Sequence, residues 1–438
     1  MLNQSLYLFA AKVFGYGLRI LLPVFLVRIL PKADIGAYSQ FFLLEILIKT
    51  IFQMGVNQSL FFFIPRDEKN SGSYFLNSIL LNIGLYTAAY SLVYIFRFQI
   101  ADHLNMAILH RFFWQLAGYT VFMMLNVSAE TYMLARKKIF ASSIFIISQQ
   151  IFASITTLWA AYVYRDIAPI LFALVISRVI SLAFGMLYIH FKLHGFRAQR
   201  YFFDMSKQIR YGLLLGLAGT IWTIVMRLNE FTVSRYFDIE TYAVYAQGVK
   251  QIPFLLFFSQ SIMSLGLVEF AKLEKAGDWK AIQKLWNRIL GSMYGVGIPI
   301  TVFLVLGAPI IVPLMFTREY IEAVPIFQLN NIALLSLILN PTLILRAMDR
   351  NDITIKVHLA VLFLMPPTLY LGMRMFGLLG IMYVHVLFLI GGRVVTHSLL
   401  NRLSPVHLPF IAPKSDIWAF YRDTYVKGKQ KIASLVTR

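Results

Sequence analysis

The chain has 438 residues, of which 59% are apolar, 15% aromatic and only 14% charged, with a net charge of +20 at pH 7. Soluble domains carry about a quarter of their residues as charges, so this composition excludes a soluble globular enzyme, a disordered chain and a fibre, and leaves a polytopic membrane protein. The sequence contains no cysteine, so disulfides, thiolate chemistry and Cys-based metal centres are excluded as well.

Apolar stretches of about 20 residues or more, long enough to cross a bilayer, fall in chain order at 5–30, 35–64, 74–97, 110–135, 140–164 and 168–191. After a polar, basic break they resume at 209–235, 240–271, 286–315, 325–348, 353–374 and 376–400. All read as helices, because an open sheet cannot satisfy its backbone in lipid and the segments are too long for barrel strands. The expected class is an all-α polytopic membrane protein with about twelve transmembrane helices. The first stretch carries Lys12, Arg19 and Arg28 and lacks a small-residue cleavage site, so it reads as a retained span and not a signal peptide.

Lys/Arg bias sets the orientation. With the N-terminus inside, the inside segments hold 25 basic residues and the outside segments 8. Both termini are therefore expected in the cytoplasm, and most of the excess charge is expected to face anionic lipid headgroups, not nucleic acid.

A repeat follows from two junctions. Arg28 stands ten residues before Tyr38 in Tyr38-Ser39-Gln40, and Arg235 stands ten before Tyr245 in Tyr245-Ala246-Gln247. Each copy joins an odd-numbered span to the next, with six spans between them. This predicts two six-helix lobes, 1–191 and 209–400, related by a pseudo-twofold along the membrane normal. Residues 192–208 would form the cytoplasmic inter-lobe loop, and 401–438 a basic cytoplasmic tail. In that tail, Ile417, Trp418, Phe420, Tyr421 and Tyr425 precede Lys427, Lys429 and Lys431, as in an amphipathic segment lying on the inner leaflet. The stretch from Glu274 to Trp286 reads as a second such segment.

Once the basic residues at span ends are assigned to the inside and outside segments, seven remain within spans: Lys12, Arg19, Lys49, Arg178, Arg227, Lys250 and Arg393. Facing lipid, they would together cost on the order of 20 kcal/mol, so they must face protein, water or a ligand. Only Glu45, Glu130, Glu230 and Glu269 are available to oppose them within spans, and the surplus of cations calls for an anion. Lys12, Tyr16 and Arg19 share a stripe of span 1, and Glu45, Lys49, Gln53 and Asn57 a stripe of span 2. Arg227 and Glu230 share a face of span 7. Gln247, Lys250 and Gln251 share a face of span 8, ahead of the helix-bending Pro253. The candidate cationic cavity is therefore Lys12, Arg19, Lys49, Arg227 and Lys250. The competing reading pairs Glu45 with Lys49 and Arg227 with Glu230 as self-satisfied ion pairs. Arg178 and Arg393, alone on their spans, read as packing on carbonyls or snorkelling, and Glu130 and Glu269 as hydrated at the interface.

Signals of catalysis are poor: no Gly-rich phosphate loop, no aspartate pair of the glycosyltransferase kind, and outside loops of a dozen residues at most. His190 and His194 have metal-ligand spacing but no acidic third ligand nearby. No catalytic residue, metal or cofactor is expected.

The run Arg28-Ile29-Leu30-Pro31-Lys32-Ala33-Asp34-Ile35-Gly36-Ala37-Tyr38, followed by Met54-Gly55-Val56 and Ile64-Pro65, resembles the opening of Wzx-type polysaccharide exporters. These belong to the multidrug/oligosaccharidyl-lipid/polysaccharide exporter (MOP) superfamily. Lys275-Ala276-Gly277-Asp278, Arg318-Glu319-Tyr320-Ile321-Glu322-Ala323, Leu345-Arg346-Ala347-Met348-Asp349-Arg350 and Phe376-Gly377-Leu378-Leu379-Gly380 continue the resemblance to about residue 400. It implies a twelve-helix flippase of the bacterial inner membrane that turns an undecaprenyl-diphosphate-linked oligosaccharide repeat unit toward the periplasm, for O-antigen or exopolysaccharide synthesis. It also implies membrane lipids, a polymerase and a chain-length regulator as partners. The diphosphate would be the anion, and Glu45 and Glu230 the candidates for cation coupling. Two alternatives stand beside it: a cation-coupled drug or small-molecule exporter of the same superfamily, and a membrane glycosyltransferase or polymerase.

Overall fold

The computed structural model describes residues 2–53, 55–193, 202–251 and 254–436. Among them there is no strand; the chain is helical almost throughout. In order, the helices are α1 (Leu2–Leu26), α2 (Lys32–Gln53), α3 (Val56–Phe63), α4 (Ser71–Leu104), α5 (Ile108–Arg111), α6 (Phe113–Ala135), α7 (Ile139–Tyr164) and α8 (Ile167–Leu193). There follow α9 (Met205–Tyr236), α10 (Ile239–Gly248), α11 (Phe254–Lys275), α12 (Trp279–Phe316), α13 (Ala323–Ala333), α14 (Thr342–Ala347), α15 (Asn351–Leu403) and α16 (Lys414–Val436). Among the described residues, eight helical stretches are long and apolar enough to cross a membrane. The protein is a multi-pass membrane protein. Its apolar exterior suits lipid: Phe303, Leu306, Ile310 and Leu314 form an exposed stripe down α12 at helical spacing.

Among the described residues every expected span is occupied by helix, but three are interrupted and the last two are joined. Span 2 breaks between α2 and α3 at Gly55, whose φ of 62° is left-handed and whose missing Cβ makes room for the Gly212 carbonyl of α9. Span 8 is divided into α10 and α11; Pro253, expected to bend it, lies outside the described residues. Span 10 becomes α13, a 3₁₀ turn at Leu334–Leu337 and α14 after Pro341. The last two spans form the arms of α15, folded at Gly377 (φ 59°, ψ −139°), and Gly372 and Gly380 meet backbone to backbone. The segment ahead of span 9 is not a separate surface helix. From Trp279 on it is the start of the 38-residue α12, capped by the Asp278 carboxylate accepting from the Ala281 amide.

The helices gather into two compact units, Met1–Ala246 and Gln247–Arg438. In the first, α1 packs along α7, α6 against α8, and α9 against α2, α3 and α4. Gly36 of α2 lies directly against the Ile239 carbonyl of α10, and Gln40 donates to Ser234 Oγ at 2.8 Å. In the second, α12 packs on α11, α13 and α16 around Phe270, Trp286, Leu343 and Ile344. Leu408 and Ala412, from the segment between α15 and α16, are buried in that core. The start of α16 is seated on α12, with Asp416 over Gly291 and Phe420 over Gly295, and Tyr421 donates to the Gly295 carbonyl at 2.6 Å.

Candidate functional site

In the first unit, two of the candidate cations are neutralised on their own helices. Lys49 Nζ lies 2.9 Å from Glu45 Oε1, one turn away on α2. Glu45 is 3% exposed. Tyr86 of α4 donates to the Lys49 carbonyl at 3.0 Å and stands within electrostatic reach of Glu45. On α9, Arg227 donates to Glu230 Oε1, and Tyr16 of α1 and Tyr242 of α10 act electrostatically on the same guanidinium. Glu45 and Glu230, the candidates for coupling, are thus each held by a cation.

Lys12 and Arg19 are exposed along α1. Arg19 Nε donates to Gln150 Oε1 of α7 at 3.1 Å, and Glu130 of α6 lies within electrostatic reach of both Lys12 and Arg19. Glu130 therefore belongs with these two cations and is not simply hydrated at the interface, as its place near the end of span 4 suggests. Lys250 belongs to the second unit, where its ammonium is held by Gln247 Oε1 and sits 5.4 Å above the Phe316 ring. Gln247 thus supports Lys250, in keeping with the face they share.

The stripe predicted on span 2 is cut short. Past the left-handed Gly55 the helix turns away, and Asn57 leaves Glu45 and Lys49. It joins a buried knot in which its Oδ1 accepts from Asn82 Nδ2 (3.0 Å) and Ser128 Oγ (2.7 Å). Arg178 does not snorkel and does not rest on carbonyls. It is 5% exposed, and its guanidinium faces Gln149 Oε1 and Tyr119 Oη at 3.4 and 3.5 Å. Arg393, in the second unit, donates to Asn340 Oδ1 and Thr342 Oγ1, both at 3.3 Å. Glu269 pairs with Lys272 at 2.9 Å on the exposed end of α11. Counting charges alone missed the neutral polar residues, Tyr119, Gln149 and Gln150, which stand in mid-span in the sequence and mark where Arg178 and Arg19 are received.

Among the described residues no three His, Asp or Glu side chains are grouped to hold a metal ion. His190 is exposed, and His194 lies outside the described residues.

A family model described as polysaccharide biosynthesis protein matches residues 25–325. A search of curated proteins finds no match. Among solved structures, the lipid II flippase MurJ in its inward closed conformation aligns with a TM-score of 0.69 and 13% identity, over 97% of this chain and 91% of that one. An inward-facing multidrug resistance MATE family transporter of the MOP superfamily aligns at 0.63 and 12% identity, over 88% and 94%. A MOP superfamily transporter from Pyrococcus furiosus, whose description cites a reversed polarity of its binding pocket, aligns at 0.60 and 13%, over 92% and 94%. At these identities the likeness establishes the fold.

Proposed function

The chain belongs to the polysaccharide biosynthesis protein family, and from that premise we propose that it is a flippase. Its cargo is an undecaprenyl-diphosphate-linked oligosaccharide repeat unit, carried from the cytoplasmic to the periplasmic leaflet of the bacterial inner membrane by alternating access. The observation that carries the reading is the surplus of basic over acidic side chains within the apolar stretches. A diphosphate headgroup is the anion such a surplus would serve, and charge-assisted hydrogen bonds to phosphate are strong. Lys12, Arg19, Lys49 and Arg227 of the first unit are the candidate contacts for it, with Lys250 a candidate in the second; Glu45 and Glu230, each paired with a cation, are the groups through which a proton or sodium ion would couple. The proposed lobes remain 1–191 and 209–400, joined through 192–208, of which 194–201 lie outside the described residues, and both termini are cytoplasmic. The chain transports and does not catalyse, handing its cargo to a polymerase and chain-length regulator.

The likeness to a multidrug transporter favours one competing reading, export of a drug or small molecule. The two separate by following the lipid-linked repeat unit in cells lacking the gene, complemented with wild type or with the Arg19→Ala/Arg227→Ala double variant. On the flippase reading, completed units accumulate on the cytoplasmic leaflet of the deletion strain, and only wild type relieves the block. Units that reach the periplasm equally in all strains, with drug efflux lost in the deletion, would establish the exporter instead.

A further inference from the structure

Arg178 carries a charge buried in the middle of α8. The residue is the twelfth of the 27 in α8, so about 17 Å of helix lies on one side of it and more on the other. That is too far for a side chain to reach either interface. Its backbone is pinned, because Asn126 of α6 donates to the Arg178 carbonyl at 2.9 Å. Among the described residues its only polar side-chain partners at hydrogen-bond range are neutral and its contacts to them long, Gln149 Oε1 at 3.4 Å and Tyr119 Oη at 3.5 Å. The Tyr119 ring lies 5.5 Å beneath the guanidinium carbon and is itself wedged edge-on by Phe41 and Phe42 of α2. Arg178 Nε is buried and makes no hydrogen bond, and among the described residues no carboxylate pairs with the group. Lys49 and Arg227, by contrast, bring no net charge, since each has its glutamate.

A buried cation without a counter-charge is costly. The neighbourhood indicates what would offset it. Gln149 and Gln150 are consecutive on α7, the first facing Arg178 and the second holding Arg19. Tyr38 of α2, 8% exposed, lies within electrostatic reach of both Arg178 and Arg19. Arg19 is exposed and Arg178 is buried, and the two guanidiniums are linked through α7, by Gln150 and Gln149 in turn, and through Tyr38; these residues form one polar wall. Glu130 lies within electrostatic reach of Lys12 and Arg19, and the group keeps a net positive charge.

We propose that this wall is an anion path, with Arg19 receiving the diphosphate of the lipid-linked cargo and Arg178 holding it at the floor. The proposal rests on the flippase reading and adds to it a residue outside the cavity set. A guanidinium fork suits a phosphate because two parallel N–H groups meet two oxygens. A charge at a rim governs association and its salt dependence, whereas a buried one governs dissociation, so the two arginines should separate kinetically.

The test uses the full chain in lipid nanodiscs, with undecaprenyl diphosphate and undecaprenol as probes. Wild type is expected to bind the diphosphate and to be stabilised by it, and undecaprenol is expected to bind far more weakly. R19Q should slow association and flatten its dependence on salt. R178Q should speed dissociation about tenfold or more, the loss expected for a charge-assisted bond, while R178K falls between. The ligand-free melting temperature of R178Q should equal or exceed that of wild type, because an uncompensated buried cation has been removed. If R178Q fails to fold, or melts lower with an unchanged dissociation rate, Arg178 is a structural prop and the proposal falls. Wild-type binding that both variants reproduce also overturns it and leaves the flippase reading standing. A wild type that ignores the diphosphate overturns both.

Discussion

The Glu45–Lys49 pair allows a decisive perturbation. At 2.9 Å, and with an effective dielectric of about 20, two unit charges attract by roughly 6 kcal/mol before desolvation. Desolvation offsets much of this, and Lys49 keeps about a fifth of its side chain exposed, 19% against 4% for Glu45. Breaking such a pair from one side leaves the other charge stranded. Lys49→Met should therefore cost about 3 kcal/mol, because it abandons a carboxylate with almost no access to water, and Glu45→Gln somewhat less, about 2 kcal/mol. The double variant Glu45→Gln/Lys49→Met removes both charges and should recover to within about 1 kcal/mol of wild type. Unfolding in mixed detergent micelles, followed by circular dichroism, measures all four corners of the cycle. Losses that simply add, or single variants indistinguishable from wild type, would refute the argument that these charges are coupled. The same four proteins separate structure from transport: if Lys49 touches cargo, the double variant is stable yet fails to clear lipid-linked units from the cytoplasmic leaflet.

Three further outcomes follow from particular contacts. A Cβ on Gly36 would meet the Ile239 carbonyl and would stand 2.7 Å from Ile239 Cγ1; Gly36→Ala should cost about 1 to 3 kcal/mol by overpacking, seen as a lower melting temperature, whereas the same change at Gly84, which faces open space, should cost nothing. Asp238 caps α10, accepting from the Glu240 and Thr241 amides at 3.0 and 2.8 Å, and the amide and hydroxyl of Thr241 hold its carboxyl below the usual range. Its contribution is therefore present above pH 3.8 and is lost as the pH falls through the lower folded value; Asp238→Ala should cost about 1 kcal/mol near neutral pH and Asp238→Asn little, with the difference from Ala narrowing in acid. Gly291→Leu places a side chain where the Asp416 backbone lies 2.8 Å from a Cβ, so α16 should detach and limited proteolysis should cut between Pro413 and Tyr425 at a rate that wild type resists.

The helices were legible because the signal for them is local: about twenty apolar residues can satisfy their backbone in lipid only as helix. The interruptions were not, since each depends on a distant partner. A glycine such as Gly55 is common inside membrane helices; the Gly212 carbonyl of α9 pressing on it makes it a break, and no pattern in residues 35–64 announces α9. The tail shows the same limit. Its aromatic and basic spacing reads as a surface segment, yet Gly291 and Gly295 open a groove on α12 that receives Asp416 and Phe420, a fit set by residues more than a hundred positions away. Within the candidate site, Glu45–Lys49 and Arg227–Glu230 could be read from the sequence because partners one turn apart on a helix face one another. Arg178 could not, because its neighbours come from α6 and α7.

The location of the surplus charge therefore bears more weight than its size. Away from their ends, the spans of the first unit contain five basic residues, Lys12, Arg19, Lys49, Arg178 and Arg227, against Glu45, Glu130 and Glu230. Because Lys49 and Arg227 are matched on their own helices, the excess falls on Lys12, Arg19 and Arg178, with Glu130 within electrostatic reach of the first two. A neutral cargo would leave that excess uncompensated at every step of transport. An anionic headgroup would meet it first at exposed Arg19 and last at buried Arg178, where the attraction is least screened by water. On the proposed reading, the matched pairs keep the helices in register, and the unmatched arginines give the cargo its path.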